Sequence, residues 1–457
     1  MKTLILFPLI CLFQTAIAQT ADETSIRQIY TTALTEGKAY SNLEYLTTKI
    51  GQRLSGSPGA ETAVKWTKKV MEDYGFDSVW LQPVMVPHWV RGQKEIGRII
   101  GSKKGKPVEV NVCALGGSVG TGPKGIQASV IEVKSLAELA GLGQKAIQGK
   151  IVFFNRPMDP KEIDPFAAYG GANDQRGRGA QEAVKHGAVA VIVRSMGVNN
   201  EDYPHTGGTR YEANGAKIPA LAISTKHADL LSNFLKEDKS AQFYMESHSE
   251  MLEDAPSFNV VGEIKGGEYK DEIIVVGGHL DSWDLAQGAH DDGTGCVQSI
   301  EVLRIFNTMG YKPKRTIRAV MFMNEENGLR GGTKYAELAA ANKEKHIAAI
   351  ESDRGGFTPR GFTMTVTDSV RKKVMSWRPI LEPYGLYDFG QQGGGADIGP
   401  LGRQGVPVME FLPDPQRYFT YHHTKEDTFD KVDKRELELG AAAMAAMVYL
   451  IDQHGLK

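Results

Sequence analysis

Predicted strands and helices alternate through the second half of the chain, and this alternation most limits the fold that the sequence can adopt. Residues 273–276 (Ile-Ile-Val-Val) form a continuous apolar run, which is typical of a strand buried on both faces. A helix is predicted over residues 296–306, a second strand over 315–323 and a third strand over 347–351. The pattern predicts an α/β fold around a mixed, largely parallel central sheet.

Residues 1–18 have the features of a secretory signal peptide. Lys2 precedes a short apolar run, and residues 16–18 (Ala-Ile-Ala) match the small-residue pattern of a cleavage site. The run is shorter than the roughly 20 apolar residues of a transmembrane helix. A buried N-terminal helix or a lipid anchor at Cys11 would also fit such a run, although Ile10 stands where such anchors carry a small residue. Export to the periplasm or the extracellular space is therefore expected.

Charge and cysteine content narrow the classes of function. The chain has 53 basic and 55 acidic residues and a formal net charge of -2, so nucleic acid and anionic membranes are not expected as partners. No membrane span is expected in the rest of the chain. Without the signal peptide, Cys113 and Cys296 remain, and two cysteines do not form a disulfide framework for 457 residues. Each is expected to be a small buried apolar residue.

A change in sequence pattern near residue 114 predicts a second, inserted unit. Residues 116–125 are rich in glycine, and short apolar strands with a helix-like stretch at 179–186 follow them. This pattern ends near residue 250. We therefore expect residues 114–250 to form an inserted domain, and residues 19–113 and 251–457 to form one domain together.

Histidine and carboxylate side chains follow three of the predicted strands at the point where each strand ends. His279 ends the first strand, and Asp291 lies on a glycine-flanked turn after it. The pair Glu325 and Glu326 follows the second strand, and Asp353 follows the third. Ligands bind outside the carboxyl ends of the strands in such sheets, so these side chains are expected to meet.

A late polar loop adds His422 and His423 to this set. A lone His-x-Asp or Glu-Glu pair is usually a solvated surface feature, but regular placement at strand ends favours a metal site. Zinc binds histidine nitrogen and carboxylate oxygen readily. Asp281, two residues after His279, is expected to accept a hydrogen bond from the imidazole of that ligand.

At these residues the sequence resembles the co-catalytic two-zinc exopeptidases, the family of the bacterial leucine-type aminopeptidases, and most of all its plasma glutamate carboxypeptidase subgroup. The resemblance covers nearly the whole chain after the signal peptide. The stretches that carry it are IGQRLSGSPG, VPHWVRG, GGHLDSWDLAQGAHDDGTG, NEENGLRGG, ESDRGG, GGGADIGPL and HHTKEDT. The resemblance implies a three-layer α/β sandwich around the mixed sheet. It also implies that residues 114–250 are a protease-associated domain, which usually shapes substrate access and carries no chemistry.

The resemblance also implies two zinc ions per chain and a role for each ligand. His279 and Asp353 would bind one zinc ion. Glu326 and His423 would bind the other ion, and Asp291 would bridge the two. A homodimer is implied on the same ground.

The remaining roles follow from the same resemblance. Glu325 would be the general base, and Asp281 would be the partner of the first histidine ligand. The four-residue step from His423 to Asp427 selects His423 as the ligand, so that His422 would face the substrate.

Two further residues complete the expected substrate contacts. Either Tyr421 or His422 would donate a hydrogen bond to the oxyanion. Asp397, in the glycine-rich loop 393–397, would hold a substrate amine or would have a purely structural role.

The expected function is that of a secreted zinc metallo-exopeptidase. It would hydrolyse unblocked dipeptides or short peptides, as an aminopeptidase or dipeptidase, through a hydroxide bound by the two zinc ions. A carboxypeptidase acting on short peptides is the nearest competing function. Two more distant functions also fit the scaffold, namely a one-zinc cyclotransferase acting on N-terminal glutamine and a receptor-like ectodomain that has lost catalysis.

Overall fold

The computed structural model describes residues 6–101 and 106–456, with side chains from residue 21 onward. The backbone is helical from Leu6 through the predicted cleavage point to Glu36. The first five residues of the predicted signal peptide lie outside the described residues, and the signal peptide stays a prediction.

The described strands form two sheets. In chain order they are β1 (Ser78–Val90), β2 (Ile96–Ile100), β3 (Val108–Val110), β4 (Val112–Ala114), β5 (Ile126–Val133), β6 (Ile151–Phe154), β7 (Ala190–Arg194), β8 (Ala220–Ile223), β9 (Gln242–Glu246), β10 (Glu250–Ile264), β11 (Tyr269–His279), β12 (Arg315–Phe322), β13 (Lys345–Glu351), β14 (Pro359–Thr365) and β15 (Val408–Pro413).

The described helices cover both faces of the first of these sheets and surround the second. In chain order they are α1 (Leu6–Glu36), α2 (Ala39–Tyr45), α3 (Pro58–Asp73), α4 (Leu136–Ile147), α5 (Pro165–Gly170), α6 (Asp174–Lys185), α7 (Thr225–Glu237), α8 (Thr294–Thr308), α9 (Arg330–Ala341), α10 (Asp368–Ser376), α11 (Arg378–Leu381), α12 (Gly399–Arg403), α13 (Tyr418–Tyr421) and α14 (Lys434–His454).

The first sheet has seven strands in the order β1-β10-β12-β11-β13-β15-β14. Its centre is parallel, with β11 between β12 and β13, and β15 beside β13. The other three pairs are antiparallel. The sheet is therefore mixed as predicted, but only half of its pairs are parallel. The prediction missed β10 and β14, because β10 begins in an exposed polar stretch and β14 carries a proline and a glycine.

Helices lie on both faces of this sheet, which makes the unit a three-layer sandwich. Alternate residues of β12 point to opposite faces. Ile317 and Met321 join a core that includes α3, α8 and α14. Val320 and Phe322 join a smaller core that includes α9 and α12. The carboxyl ends of β11, β12 and β13 therefore lie between the two helical layers.

The second sheet has eight strands in the order β3-β2-β9-β5-β6-β7-β8-β4. Two apolar cores pack against its two faces. The predicted boundary at residue 114 lies inside this sheet, because β2 pairs with β3 and with β9. The second unit therefore begins near Ile96, and hydrogen bonding to a strand far along the chain decides this. Cys113 and Cys296 are both buried and unbridged, as expected.

Candidate metal centre

The central parallel strands bring four of the predicted residues together at one edge of the sheet. His279 is the last residue of β11, and Glu325 and Glu326 follow β12 in a turn that begins at Asn324, whose φ is 77°. Asp353 lies two residues past the end of β13. Parallel strands end at the same edge of a sheet, which explains why residues distant in sequence meet here.

His279 and Asp353 meet one oxygen of Asp291, and we call this group the His279 half-site. His279 Nε2 lies 3.3 Å from Asp291 Oδ1 and 3.3 Å from Asp353 Oδ1. Two ligand atoms that each lie about 2.1 Å from a tetrahedral ion are separated by about 3.4 Å. The observed spacing is therefore that of ligands around a single ion.

His423 and Glu326 meet the other oxygen of Asp291, and we call this group the His423 half-site. His423 Nε2 lies 3.2 Å from Asp291 Oδ2 and 3.1 Å from Glu326 Oε2. Asp291 thus directs one carboxylate oxygen to each half-site. All five predicted metal ligands lie together in this arrangement.

Three buried atoms of this cluster have no hydrogen-bond partner among the described residues. They are His279 Nε2, Asp291 Oδ2 and Asp353 Oδ1. Buried polar atoms in proteins are almost always hydrogen-bonded, so atoms without a partner need another form of compensation. Metal ions would supply it, and the donor set fits them. His422 is a further ligand candidate, because its ring stacks on His423 with centroids 3.5 Å apart and its Nε2 lies 3.9 Å from Asp291 Oδ2.

Asp291 and Glu325 differ in the direction in which their surroundings shift the pKa. Burial alone would raise the pKa of Asp291, but the nearby imidazoles of His279 and His423 hold that pKa well below its usual range. Burial is the largest cause that raises the pKa of Glu325 to about 8, and the charges of Asp353 and Glu326 act in the same direction. Asp291 is thus ionised, while Glu325 is a carboxylate that readily accepts a proton near neutral pH.

Asp281 contacts the first histidine ligand in a different way from that expected. The Nδ1 atom of His279 lies 2.9 Å from the main-chain oxygen of Asp281, but 3.9 Å from its carboxylate. The carboxylate instead accepts hydrogen bonds from the backbone N–H groups of Asn324, at 2.7 Å, and Glu325, at 3.1 Å. Asp281 therefore positions both the ligand and the turn that carries the predicted base.

Arg53, which the sequence analysis did not single out, joins the loops that carry the ligands. It is fully buried. Its guanidinium donates to the carbonyl oxygens of Leu280 at 2.8 Å, Gln287 at 2.6 Å and Gly288 at 3.0 Å, and to Gly51 at 3.0 Å. This one side chain therefore holds together the two ends of the loop that connects β11 to Asp291.

Asp427 also supports the bridging ligand. Its carboxylate accepts hydrogen bonds from the backbone N–H groups of His290, at 2.7 Å, and Asp291, at 3.2 Å. Asp427 therefore fixes the backbone that carries the Asp291 carboxylate, a role that its sequence motif does not indicate.

The inserted unit reaches the His423 half-site. The Nδ1 atom of His423 lies 3.3 Å from the carbonyl oxygen of Thr206, and the Thr206 N–H donates to the His423 carbonyl at 2.9 Å. Arg91 links the two units near this point, because it pairs with Asp284 at 2.6 Å and donates to the Thr206 hydroxyl at 3.3 Å. A predicted metal ligand of the first unit is thus oriented by the backbone of the second.

A cavity of about 1030 Å³ opens beside the cluster. Asp291, Glu325, Glu326, Asp353 and His423 line one side of it, and residues of the inserted unit line the opposite side. This volume slightly exceeds the about 300–1,000 Å³ that is usual for small-molecule sites. The cavity therefore has room for a short peptide.

Comparison with known proteins identifies the family. A family model described as peptidase family M28 matches residues 259–448. Carboxypeptidase Q from Xenopus laevis is 36% identical over 419 residues, which cover 91% of this chain and 86% of that protein. The crystal structure of a peptidase M28 precursor from Shewanella amazonensis SB2B has 35% identity and a TM-score of 0.90, covering 95% of this chain and 97% of that one.

The chain belongs to peptidase family M28. An aminopeptidase from Aneurinibacillus sp. strain AM-1 shares the fold, with a TM-score of 0.65, 24% identity and coverage of 93% of this chain and 95% of that one. The predicted resemblance is thereby confirmed, and so is the prediction of a metallopeptidase, a hydrolase of peptide bonds. Within the part of the chain that the structure describes, no helix combines the length and apolarity needed to cross a bilayer.

Two of the predicted substrate residues do not line the cavity of this M28 peptidase. The ring of Tyr421 stacks on His290, at a centroid distance of 5.2 Å, and on Phe357. Asp397 is buried, and its backbone N–H donates to Glu351 at 3.3 Å. His422 does line the cavity. The expected oxyanion contact of Tyr421 and the expected amine contact of Asp397 are therefore corrected, because the Tyr421 ring packs against His290 and Phe357 and the buried Asp397 does not line the cavity.

Other cavity residues of this M28 peptidase were missed at the sequence level. Tyr169 and Arg176 come from the inserted unit, and Tyr418 comes from α13 beside the histidine loop. Nothing local in the sequence distinguishes these side chains from ordinary surface or core residues. Only the position of the two units against each other would have indicated them.

Proposed function

We propose that this M28 peptidase is a secreted zinc exopeptidase that binds two zinc ions and hydrolyses unblocked dipeptides and short peptides. The observation that carries the proposal is Asp291, whose two oxygens serve two half-sites of equal composition. Each half-site has one histidine, one further carboxylate and one oxygen of Asp291. A carboxylate that offers one oxygen to each half-site could hold two metal ions at the ~3.5–4 Å spacing of two-metal hydrolases.

Zinc, when bound, lowers the pKa of coordinated water toward ~7 and polarises a carbonyl oxygen. The protein supplies the proton transfer. Glu325, with its raised pKa, takes a proton from the attacking water and gives it to the leaving amine. Asp281 holds the backbone of Glu325 in place for this step, because its carboxylate accepts hydrogen bonds from the backbone N–H groups of Asn324 and Glu325.

The charges of the cavity support a substrate with two free ends close together. The metal side is rich in carboxylates, while Arg178, Arg210 and Lys217 line the side formed by the inserted unit. A free carboxylate would be attracted to the second side, while Glu325 and Glu410, which are not among the expected metal ligands, would attract a free amine on the first side. A dipeptide or other short peptide carries both charges within one small molecule.

A time course by mass spectrometry on zinc-loaded protein tests the proposal. The substrates are an unblocked dipeptide, its N-acetyl form, its C-terminal amide and a tetrapeptide. We expect hydrolysis of the free dipeptide, none of the acetylated form and slower hydrolysis of the amide. No cleavage of any substrate, with two zinc ions bound per chain, would contradict the proposal.

The tetrapeptide also tests the competing carboxypeptidase function, which the name of the carboxypeptidase Q relatives favours. Shortening from the amino end supports the aminopeptidase assignment, and shortening from the carboxyl end supports a carboxypeptidase. One zinc ion per chain with release of a cyclised N-terminal glutamine would support the cyclotransferase. Failure to bind zinc at all would support a receptor-like protein.

Three further features complete this proposal on the ground of the sequence resemblance. They are cleavage of a signal peptide after Ala18, a protease-associated fold for the inserted unit and assembly as a homodimer. The mass of the exported protein tests the first, since the mature chain would begin at Gln19. Light scattering of the purified protein tests the last.

A further inference from the structure

Tyr169 lines the same cavity as the predicted metal ligands, on the short helix α5 of the inserted unit. Its ring stacks on Phe419 with centroids 4.9 Å apart and meets the edge of His422 at 5.3 Å. The ring of His422 in turn stacks on the ligand His423 at 3.5 Å. The phenol is therefore one aromatic ring away from the His423 half-site.

Arg176, on helix α6, holds the hydroxyl of Tyr169. Its Nη2 atom donates a hydrogen bond to the phenol oxygen at 2.5 Å, and its guanidinium lies 5.3 Å from the ring centroid. Gly207 leaves the space for this side chain. A Cβ atom at that position, where φ is 126°, would lie 2.5 Å from the guanidinium carbon of Arg176. The pair is thus built into the wall of the cavity.

The contact determines where the hydroxyl proton of Tyr169 points. An arginine side chain has only donors, so the phenol oxygen must be the acceptor in this hydrogen bond. The hydroxyl of Tyr169 donates to no group among the residues that the structure describes. Its proton is therefore free to be donated into the cavity, and the charge of Arg176 makes it a stronger donor.

Burial favours the protonated form of this hydroxyl. Burial is the largest cause that raises the pKa of Tyr169, and the negative charges of Glu325 and Asp291 raise it further, while Arg176 opposes them. The cavity that Tyr169 lines is also lined by the predicted base Glu325 and by Asp291. Tyr169 thus presents a neutral donor to the cavity in which a scissile carbonyl would react.

We propose that Tyr169, positioned by Arg176, is a catalytic residue that the inserted unit contributes, and that its hydroxyl donates a hydrogen bond to the carbonyl oxygen of the scissile bond as that oxygen becomes negative. The inference rests on the proposed peptidase reaction. It replaces the contact expected of Tyr421, which packs against His290 and Phe357. The inserted unit then takes part in the chemistry in addition to shaping access.

Tyr169→Phe tests the inference, since it removes the hydroxyl and keeps the ring that stacks on Phe419. With a free dipeptide, kcat is expected to fall about 10²–10³-fold, as for loss of one oxyanion donor, with little change in KM. Zinc content and melting temperature should match the unchanged protein. Tyr244→Phe is the control, because Tyr244 lies in β9 of the same unit and its hydroxyl bonds to Glu246.

Binding provides the second measurement. A phosphinic dipeptide analogue mimics the tetrahedral transition state, and its affinity should fall by the same factor as kcat/KM, while the affinity for a product amino acid stays unchanged. Arg176→Met should lower kcat and analogue affinity together without changing product binding, and Arg176→Lys should restore part of both. This pattern distinguishes a positioning role from a purely structural one.

The outcomes separate the inference from the proposed function. Hydrolysis of the dipeptide by both the unchanged protein and Tyr169→Phe, with kcat equal within about threefold, overturns the inference and leaves the function standing. Equal losses of product and analogue binding also overturn it. An unchanged protein that neither hydrolyses peptides nor binds the analogue overturns both.

Discussion

The two half-sites of the candidate metal centre have the same kinds of predicted ligand, but different residues support them. His279 ends a central strand, and its Nδ1 atom contacts the carbonyl of Asp281, two residues away. His423 lies in a loop with a φ of 62°, and its Nδ1 atom contacts the carbonyl of Thr206, 217 positions away in the inserted unit. One histidine is therefore oriented by its own strand end and the other by contact between two units.

The geometry of the centre therefore depends both on the end of a central strand and on the contact between the two units. The hydrogen bond to the second nitrogen of a histidine sets the orientation of the ring and raises its affinity for metal. The His279 half-site acquires this bond as soon as β11 and its loop fold. The His423 half-site acquires it only when the inserted unit docks. Occupancy of the second half-site is therefore expected to report on that docking.

The largest expected effect comes from the predicted base, which is a ligand of neither half-site. Glu325→Gln should lower kcat by at least about 10²–10⁴-fold, the usual contribution of a general base. Both zinc ions should be retained, because the ligands of the two half-sites are unchanged. Turnover of a free dipeptide and zinc content measured by mass spectrometry check this.

Glu337→Gln, at an exposed position of α9, is the matched control and should leave turnover unchanged. Near-normal turnover in Glu325→Gln would show that this residue is not the general base.

The next effect tests the internal support of the His279 half-site. Arg53→Met leaves four backbone carbonyls without their donor, including those of Leu280 and Gly288. Loss of such buried hydrogen bonds to a charged group should lower the free energy of unfolding by at least about 3 kcal/mol. Zinc affinity should fall at both half-sites, because the Asp291 loop serves both.

Urea unfolding and zinc titration check the Arg53 prediction. Arg435→Met, at an exposed position near the start of α14, is the control. If Arg53→Met lost only one zinc ion, the view that the bridging loop couples the half-sites would be wrong.

A smaller and selective effect tests the support across the two units. Arg91→Met removes the side chain that joins Asp284 to Thr206. The zinc ion of the His423 half-site should bind about 10–100-fold more weakly, the usual cost of a lost outer contact, while the other ion is unaffected. A competition titration with a chelator should show one shifted step of two.

Arg98→Met is the control for Arg91→Met, since Arg98 lies in β2 and pairs with the exposed Glu109. Equal weakening of both steps in Arg91→Met would abolish the proposed distinction between the half-sites.

The last prediction concerns Glu438, which lies outside both half-sites and should affect stability without affecting zinc binding. Glu438, on α14, accepts a hydrogen bond from the Tyr40 backbone at 3.1 Å, and burial followed by the charge of Glu301 raises its pKa to about 7. A carboxyl whose folded pKa exceeds its unfolded value binds more protons when folded. The stabilising contribution of this carboxyl to the free energy of unfolding is therefore present below the unfolded pKa of 4.5 and is lost as pH rises to about 7.

Glu438→Gln should remove this loss and raise the free energy of unfolding at pH 7.5 by about 1–3 kcal/mol, with little change at pH 4.5. Urea midpoints at the two pH values measure it, and zinc affinity should not change. A variant that was less stable at pH 7.5 than the unchanged protein would show that the carboxylate is favoured there.

Local pattern was sufficient for the core of the catalytic unit. The apolar runs at β11, β12 and β13 were predicted because a strand buried on both faces has a signature within its own residues. The ligands at their ends followed, because side-chain chemistry and strand ends can both be read along the sequence. The antiparallel strands β10 and β14 were not predicted, since an exposed polar start and a stretch with proline and glycine resemble loops.

The sequence by itself therefore determined which residues have the chemistry of a metal peptidase and on which strand ends they lie. Only the tertiary structure decided which groups support them. Arg53 and Thr206 act through contacts with residues that lie far from them in the chain, and a local sequence pattern does not identify such partners. The start of the second unit near Ile96 was decided in the same way, because pairing of β2 with β9 assigns that strand to its sheet.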